Sequence, residues 1–550
     1  MWRIQLVTVL ALGCALATAQ ATTPPTRLAW AQNGELVAAQ RNAPTAPDAS
    51  QWRTPLGSTW KLFMHAYLDA HAMQEPVYRC QAGQRQPDEE YCCEPGESVS
   101  RDEALARSCG PYFEPQRLGV SAAEWSRYWQ AQQAPAWLLA LRALQPATEV
   151  AVPDLLSAIA HIPVAQRLAA RQALSRVALR EPAVLAALGS GPRYKTWSWH
   201  IGAERAGGAA GWLVDGSPFW FGAAGTSRTA LQANASWIGQ QWPVQALPDA
   251  AALAAQPCVE VSFFQRYTIQ SVKRGDGSEA PAGPMSGRYH VAFARDTQLT
   301  LDAVPTLWLQ RDAKGTAIHA RLPLEDYVAR VVDREGNAAE PQAARALAVA
   351  ARSYVLQNAA EGEGCRPIAD SSQAQRVSPN PPSAGARAAA AYTDGLVLTG
   401  TAVRYHGTQA APGVMAWTDA VVDAKAGAAF DSILRKAYPG ASFADALAAG
   451  DCIALPQAQL WLMQRQPRWR AQLRQQPGYE PLGESLRVCQ LQVGTPHSDQ
   501  RQLVIHIREW ASREGRVTLI HEYLHLAFRH HPSGQDEALI ERLAQRLADS

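Results

Sequence analysis

Residues 322–335 read LPLEDYVARVVDRE, and residues 343–354 read AARALAVAARSY. In both stretches apolar residues recur three and four positions apart, which places them on one face of an α-helix. Short segments that look like strands, separated by polar turns, precede them from residue 258 onward. The sequence therefore predicts a mixed α/β domain in which strands are followed by an amphipathic helical segment from Pro323 to about Ala360.

The two stretches resemble the signature of SpoIID-type lytic transglycosylases, the family of the stage II sporulation protein D. Asp370 with Gln375 and the run DGLVLT over residues 394–399 fit the same family. The resemblance covers roughly residues 290–440. It implies that Glu335 is the catalytic acid in a non-hydrolytic cleavage between N-acetylmuramic acid and N-acetylglucosamine. It also implies that the same carboxyl group then removes the proton whose loss closes a 1,6-anhydro ring.

Residues 517–528 read VTLIHEYLHLAF, an apolar helix that carries the HExxH pattern. The spacing puts His521 and His525 one turn apart on one face, where both imidazoles can bind one zinc ion. Glu522 is then the general base, acting on water whose pKa zinc lowers. Two histidines and a glutamate are costly to bury on an apolar helix without a metal, which favours a zinc site over a chance motif.

A third zinc ligand is expected on the return helix that follows Pro532. In a tight antiparallel hairpin, Glu541 lies level with the midpoint of the two histidines, and Glu537 lies about one turn nearer the loop. Glu541 is therefore the first choice and Glu537 the second. His531 is the third choice, because it lies six residues after His525, a spacing that metzincin-like sites use. Residues 536–541 also resemble the glutamate helix of gluzincins, which keeps Glu537 open. The motif predicts a metallohydrolase, either a peptidase or an amidase.

Residues 54–63 read TPLGSTWKLF and contain an SxxK pattern at the start of an apolar helix. One helical turn places Lys61 beside Ser58, where a neutral amine can deprotonate the hydroxyl group. Ser108 and the pair Lys195 and Thr196 follow in the chain. Their order and spacing resemble penicillin-binding proteins and class D β-lactamases across about residues 27–225.

That second resemblance implies an acyl-enzyme at Ser58, with backbone N–H groups forming the oxyanion hole. Ser108 and Lys195-Thr196 would be the second and third elements of the site. Trp197 stands where those families have glycine. A binding-only domain with the same fold is therefore the alternative to a catalytic one.

Length and composition limit the number of domains and the class of protein. With 550 residues, 47% hydrophobic and 18% charged, the chain is typical of a folded protein with two to four domains. A net charge of +2 argues against a nucleic-acid binder. We expect a multidomain α+β protein. Its parts are a signal peptide (1–21), a serine-transpeptidase-like α/β domain (22–250), a mixed SpoIID-like domain (258–440) and a small zincin-like α+β domain with a helical hairpin (446–550).

The N-terminus predicts export. Arg3, an apolar run from Ile4 to Leu16 and small residues before residue 22 are typical of a signal peptide. The apolar run is too short to span a membrane. We therefore expect a periplasmic or secreted protein without a membrane span after cleavage. Eight cysteines remain and predict disulfides. Cys452 and Cys489 are one candidate pair, and the other pairings are open.

These features predict a periplasmic peptidoglycan-remodelling protein with a lytic-transglycosylase-like site and a zinc-dependent hydrolase site. Two alternatives remain. One is a non-catalytic scaffold with degenerate enzyme folds that binds the cell wall or an envelope protein partner. The other is a wall-anchored secreted zinc peptidase that acts on proteins. The whole arrangement resembles a group of secreted proteobacterial proteins.

Overall fold

The computed structural model describes residues 24–549, apart from residues 46, 74, 82–91, 94, 95, 97, 202, 203, 244–247, 249, 295, 296, 314, 360–363, 405–410, 412, 447–452, 484, 485, 492–495, 501 and 502. The predicted signal peptide and Cys452 lie outside the described residues. Among the described residues, no helix combines the length and the hydropathy of a membrane span.

The first region is built on an antiparallel five-stranded sheet with strand order β2-β1-β9-β8-β7. Its strands are β1 (Arg27–Gln32), β2 (Glu35–Gln40), β3 (Arg53–Pro55), β4 (Tyr78–Arg79), β5 (Ser98–Val99), β6 (Glu149–Ala151), β7 (Arg193–Ile201), β8 (Glu204–Trp212) and β9 (Pro218–Ala224). Its helices are α1 (Trp60–Ala70), α2 (Arg101–Arg107), α3 (Pro115–Leu118), α4 (Ala122–Ala131), α5 (Val152–Ala160), α6 (Val164–Leu179), α7 (Pro182–Leu188), α8 (Ser227–Gln241) and α9 (Ala250–Ala254).

Helix α1 is buried along nearly its whole length, from Trp60 to Leu68. The Phe63 ring meets Trp129 and Trp137 edge-on. Each such aromatic pair contributes about 0.5–1.5 kcal/mol beyond the burial of its area. The start of α1, which carries the SxxK pattern, is therefore held in a fixed place.

Disulfides fix the segment before α2 and one edge of the second region. Cys80 is bonded to Cys93, and Cys92 to Cys109. Cys258 is bonded to Cys365. Cys489 is also disulfide-bonded, so the predicted use of cysteine in disulfides is confirmed for these residues.

The second region begins with strands, as the sequence predicts. They are β10 (Cys258–Phe263), β11 (Ile269–Arg274), β12 (Gly283–Pro284), β13 (Gly287–Phe293), β14 (Gln298–Ala303), β15 (Leu307–Asp312), β16 (Gly315–Pro323), β17 (Cys365–Ala369), β18 (Leu396–Thr399) and β19 (Ser442–Asp445). Its helices are α10 (Leu324–Glu335), α11 (Pro341–Asn358), α12 (Ala384–Tyr392), α13 (Trp417–Lys425) and α14 (Phe430–Ala437). One sheet has the order β12-β15-β16-β10-β17, and a second has the order β11-β13-β14.

The helical segment predicted from Pro323 to about Ala360 is two helices instead of one. Helix α10 ends at Glu335, and α11 begins at Pro341. Proline lacks an N–H group and suits the first position of a helix, which explains the new start. The break places the Glu335 carboxyl group at a helix end, beside the turn that follows β17.

A buried ion pair joins α10, α11 and β18. Arg352 donates to Glu325 at 2.6 Å and to the Leu396 carbonyl oxygen at 2.9 Å, and both charged side chains are almost completely buried. A buried charge is tolerated when it is paired and hydrogen-bonded, as here. These contacts fix the two helices that carry the SpoIID-like signature.

The third region has its own hydrophobic core under a four-stranded sheet with order β20-β21-β23-β22. Its elements are β20 (Ile453–Ala454), α15 (Pro456–Leu473), β21 (Arg487–Gln490), β22 (His497–Asp499), β23 (Val504–Ile507), α16 (Arg513–Ala527) and α17 (Glu537–Ala548). Helices α16 and α17 pack against each other, and α16 also contacts β22 and β23.

Buried polar contacts join the first region to the second. Arg193, on β7, donates to the Asp445 carboxylate at 3.0 Å and to the Asp394 carbonyl oxygen at 3.1 Å. Both Arg193 and Asp445 are 3% exposed. The described residues form a multidomain mixed α/β structure, and their buried side chains make up three hydrophobic cores.

Candidate active sites

Glu335 lies where α10 ends, against the segment of residues 371–378. Its Oε1 accepts a hydrogen bond from the backbone N–H of Arg376 at 2.7 Å. Burial raises the pKa of the Glu335 carboxyl group, and the nearby charge of Asp370 acts in the same direction. A carboxyl group that keeps its proton closer to neutral pH is suited to act as a general acid.

Buried side chains hold the segment of residues 371–378 in place beside Glu335. Gln375 is fully buried, donates to a carbonyl oxygen of α11 at 3.3 Å, and accepts a hydrogen bond from the Tyr327 hydroxyl group. Arg330 is also buried and donates to the carbonyl oxygens of Pro379 and Asn380, each at 2.9 Å. The backbone amides of this segment therefore have fixed directions.

The HExxH pattern lies on α16, as the sequence predicts. His521 and His525 meet on one face, and their Nε2 atoms are 3.0 Å apart. The Nδ1 atom of His525 donates to the Gly534 carbonyl oxygen at 2.8 Å, and Nδ1 of His521 lies 3.1 Å from the Glu541 carboxylate. These second partners fix the orientation of both rings.

Glu537, and not Glu541, faces the Nε2 atoms. One Glu537 oxygen lies 3.3 Å from Nε2 of His521, and the other lies 3.6 Å from Nε2 of His525. The structure thus places Glu537, the second choice for the third ligand, at the Nε2 atoms, and Glu541, the first choice, at Nδ1 of His521. Counting positions along the two helices shows which carboxylate lies at the same height as the histidines. It does not show which nitrogen of each ring the carboxylate contacts. His531, the third choice, contacts Ser533 through Nδ1 at 2.9 Å.

The donor set fits a zinc ion. Ligand atoms of His521, His525 and Glu537 all lie within 4.8 Å of one another. Zinc with bonds of about 2.0 Å in a tetrahedron separates its ligand atoms by about 3.3 Å. Here the two Nε2 atoms are 3.0 Å apart, and one Glu537 oxygen lies 3.3 Å from His521 whereas the other lies 3.6 Å from His525. Nitrogen and oxygen ligands are also the types that zinc prefers.

Glu522 is buried beside this group, with 7% of its surface exposed. Burial raises the pKa of its carboxyl group, and His525, His521 and the Ser498 side chain on β22 act in the opposite direction. A cavity of about 660 Å³ opens here, lined by His521, Glu522 and Arg513 among others. The edge strand β22 and the HExxH helix therefore meet at an open site.

The SxxK residues of the first region come together at the start of α1. Lys61 Nζ lies 3.2 Å from Ser58 Oγ, 2.6 Å from the Ser108 carbonyl oxygen and 3.4 Å from Ser108 Oγ. Lys61 and Lys195 are both buried, and Thr196 is half-buried. Ser108 has φ of 68°, a left-handed conformation that is uncommon for serine. A cavity of about 1020 Å³, lined by Trp60 and Trp199 among others, opens beside α1.

Trp197 lies inside the sheet core. Its ring is 2% exposed, stacks on Trp220 and donates to the Phe221 carbonyl oxygen at 3.2 Å. The Cβ of Trp197 lies close to Gly57. A Cβ added to Gly57 would be only 3.0 Å from the Cβ of Trp197. The bulk of Trp197 is therefore accommodated in the core, opposite a glycine.

Sequence reasoning gave no role to several residues of these sites. Ser498 and Gly534 support Glu522 and His525, and neither has a pattern that marks it in the sequence. Asp370 was recognised only as part of a motif, although it accepts a hydrogen bond from the Val377 N–H at 3.0 Å, beside Glu335.

Two family models match the chain. The model described as "Predicted secreted protein (DUF2300)" matches residues 84–206 and 413–533. The model described as "Stage II sporulation protein" (SpoIID) matches residues 312–399, between those two segments. The predicted SpoIID-type segment and the predicted export are thereby confirmed. The second DUF2300 segment includes the HExxH helix and ends before Glu537.

One relative aligns over nearly the whole chain. The "Uncharacterized protein YfaQ" of Escherichia coli (strain K12) is 39% identical over 557 residues, which covers 99% of each protein. The chain belongs to the YfaQ family.

Solved structures resemble 40% of this YfaQ-family chain. A class D β-lactamase from Sebaldella termitidis is 11% identical, with a TM-score of 0.26 and 87% of its chain covered. PBP-A is 12% identical, with a TM-score of 0.27 and 91% covered. The C-terminal domain of the Bacillus licheniformis BlaR penicillin-receptor is 15% identical, with a TM-score of 0.28 and 87% covered.

Proposed function

We propose that this secreted chain remodels peptidoglycan, and that Glu335 cleaves the glycan strand. The observation that carries the proposal is the half-buried Glu335 carboxyl group, held by the Arg376 amide at 2.7 Å inside the segment that matches the stage II sporulation protein. A secreted family supports the same conclusion, since peptidoglycan lies outside the cytoplasm.

The proposed reaction consumes no water. The Glu335 carboxyl group gives its proton to the glycosidic oxygen as the bond to C1 of the muramic acid residue breaks. The 6-hydroxyl oxygen of the same sugar then bonds to C1, and its proton returns to the Glu335 carboxylate. The products are a 1,6-anhydro sugar and a new 4-hydroxyl group, so one carboxyl group is sufficient for both proton transfers.

The test is a count of reducing ends in purified glycan strands. Cleavage by this route creates chain ends that borohydride cannot reduce, whereas hydrolysis creates reducible ends. We expect shorter strands without new reducing ends, and no shortening with Glu335→Gln. Glu340→Gln is the matched control, because Glu340 pairs with Lys425 at 3.2 Å on the other side of the helix break. Intact strands with the wild-type chain would overturn the proposal.

A second candidate function rests on the convergence of three ligand atoms in the third region. His521, His525 and Glu537 would hold a zinc ion through Nε2, Nε2 and a carboxylate oxygen. When bound, zinc activates water and polarises the carbonyl group of an amide. Glu522 lies one residue from His521 and would accept the proton on its carboxylate. The substrate would be the peptide stem of peptidoglycan or another envelope peptide.

An experiment with sacculi and with a protein substrate distinguishes between a peptide stem of peptidoglycan and another envelope peptide as the substrate. Release of cut peptide stems from sacculi, abolished by a chelator and by Glu522→Gln, supports a wall hydrolase. Cleavage of a denatured protein with intact stems supports a peptidase anchored to the wall. A chain that binds sacculi and cuts neither peptide stems nor protein overturns both the wall-hydrolase and the peptidase proposals for the third region. That result supports the scaffold alternative.

The cluster around Ser58 supports a proposal for the first region. Lys61 Nζ lies within hydrogen-bonding distance of Ser58 Oγ and also contacts Ser108, so it can accept the hydroxyl proton during acylation. The test is the mass of the intact chain after incubation with a β-lactam. A covalent adduct that is absent in Ser58→Ala supports acylation. An unchanged mass leaves a binding-only domain.

A further inference from the structure

Two carboxyl groups share one short stretch of backbone in the second region. Arg376 N–H donates to Glu335 at 2.7 Å, and the next amide, Val377 N–H, donates to Asp370 at 3.0 Å. Asp370 follows β17 directly, whereas Glu335 ends α10. Residues 35 positions apart in the chain are thus tied to consecutive amides.

Asp370 is itself fixed by the sheet. Its own N–H donates to the Ser262 carbonyl oxygen on β10 at 3.0 Å. A bridge between Asp370 and Gln375 closes the turn that leads to the shared amides. Asp370 can therefore set the direction of the Val377 amide, and through it that of the neighbouring Arg376 amide.

Charged groups around Glu335 and Asp370 affect the ionisation of both carboxyl groups. Arg334 and Arg376 act on both carboxyl groups and favour their ionised forms. The charge of Asp370 opposes the ionisation of Glu335, and burial opposes the ionisation of both carboxyl groups. Tyr327, on α10, is a titratable group close to both carboxyl groups, and burial raises its pKa and keeps it neutral. When two nearby acids compete in this way, one of them keeps its proton to higher pH.

We propose that Asp370 is a positioning residue of the glycan-cleaving site, which fixes the amides that hold Glu335 and keeps the proton on Glu335. The inference rests on the proposed glycan cleavage by Glu335. It assigns the two carboxyl groups different roles. Glu335 gives and takes the proton, and Asp370 remains ionised and does not touch the sugar.

The substitution Asp370→Asn separates the two effects of this residue. Asparagine keeps an oxygen that accepts from the Val377 N–H, but it removes the charge. We expect the alkaline limb of the rate–pH profile for glycan cleavage to move to lower pH by about half a unit to one unit, with the rate at acid pH nearly unchanged. Asp370→Ala also removes the anchor, and we expect a loss of about tenfold or more at every pH.

Asp302→Asn is the matched control. Asp302 is an exposed carboxylate of the same region, paired with Arg288 at 3.0 Å, and its loss should leave the profile in place. A merely structural role of Asp370 would lower the rate of Asp370→Asn equally at all pH values and would not move the limb.

The outcomes distinguish this inference from the function on which it rests. If the wild-type chain does not shorten glycan strands, the function and the inference fall together. If the wild type cleaves, Glu335→Gln is inactive and Asp370→Asn keeps the wild-type limb, the function stands and the role of Asp370 is overturned. A shifted limb with retained rate at acid pH supports both.

Discussion

The Nε2 atoms of His521 and His525 lie 3.0 Å apart, although each ring already has an acceptor at its Nδ1 atom. A carbonyl oxygen only accepts, so Nδ1 of His525 carries a proton, and the Glu541 carboxylate favours the same tautomer of His521. In their neutral forms both rings then direct a lone pair at the same point. A cation at that point resolves the repulsion, and Glu537 adds a negative charge.

Zinc affinity should depend more on Glu537 than on Glu541. Glu537→Gln replaces a carboxylate ligand by a neutral amide, whereas Glu541→Ala removes the hydrogen-bond partner of a ligand, a loss that typically costs 10–100-fold in affinity. We expect one zinc ion per wild-type chain and a larger loss with Glu537→Gln, measured by competition with a chromophoric chelator. Glu480→Gln, near His530 on the other side of the loop, is the control. The opposite ranking would restore Glu541 as the third ligand.

Arg193 should be important for stability, because it joins two regions through buried charges. Arg193→Met breaks the buried pair with Asp445, a change that typically costs about 3–5 kcal/mol. The exposed pair of Arg288 and Asp302 is worth about 0–1 kcal/mol, so Arg288→Met is the control. Denaturant unfolding monitored by tryptophan fluorescence measures both. Equal midpoints for the two variants would show that the buried pair does not stabilise the interface.

Gly57 and Trp197 form a complementary pair, and Gly57→Ala tests it. The new Cβ would lie 3.0 Å from the Trp197 Cβ, and Gly57 has φ of 47°. Gly34→Ala is the matched control, since Gly34 has φ of 82° with no atom within 4 Å of an added Cβ. Both variants bear backbone strain of about 1–2 kcal/mol, and only Gly57→Ala adds crowding of about 1–3 kcal/mol. Thermal unfolding should separate them, and equal melting temperatures would contradict the packing.

Stability should respond to pH through Glu335. Burial raises the pKa of this carboxyl group in the folded chain. As the pH rises past the ordinary value of glutamate, the unfolded chain releases this proton first, so the folded state loses stability relative to the unfolded one. The wild type should therefore lose stability relative to Glu335→Gln between that ordinary value and the raised folded-state value, and the difference should stay constant above it. Urea unfolding at a series of pH values measures this. A difference that does not vary with pH would mean that burial does not act on Glu335.

Patterns between near neighbours were sufficient for much of the fold. The strands after residue 258 and the HExxH helix follow from spacing over a few residues, because burial of one face fixes the period. The break at residues 336–340 was missed, since apolar residues continue on both sides of it. Only Pro341 marked the new helix, and proline alone does not show whether a helix ends or bends.

The sites depend on contacts that spacing cannot give. Whether Glu537 or Glu541 meets Nε2 depends on the orientation of two imidazole rings, which the Gly534 carbonyl oxygen and Glu541 determine. The pairing of Cys92 with Cys109 depends on the path of the chain between them. Asp370 reaches the amides beside Glu335 only because β17 pairs with β10, a contact between residues about 100 positions apart in the chain.

The proposed cleavage of the glycan strand through Glu335 does not depend on the metal site. The most direct measurement is mass spectrometry of soluble products released from purified sacculi by the mature chain, with Glu335→Gln, with Glu522→Gln and with a chelator. We expect anhydro-muropeptides from the wild type, from Glu522→Gln and in the presence of chelator, and none from Glu335→Gln. Anhydro products that persist in Glu335→Gln, or a wild-type chain that releases none, would contradict it.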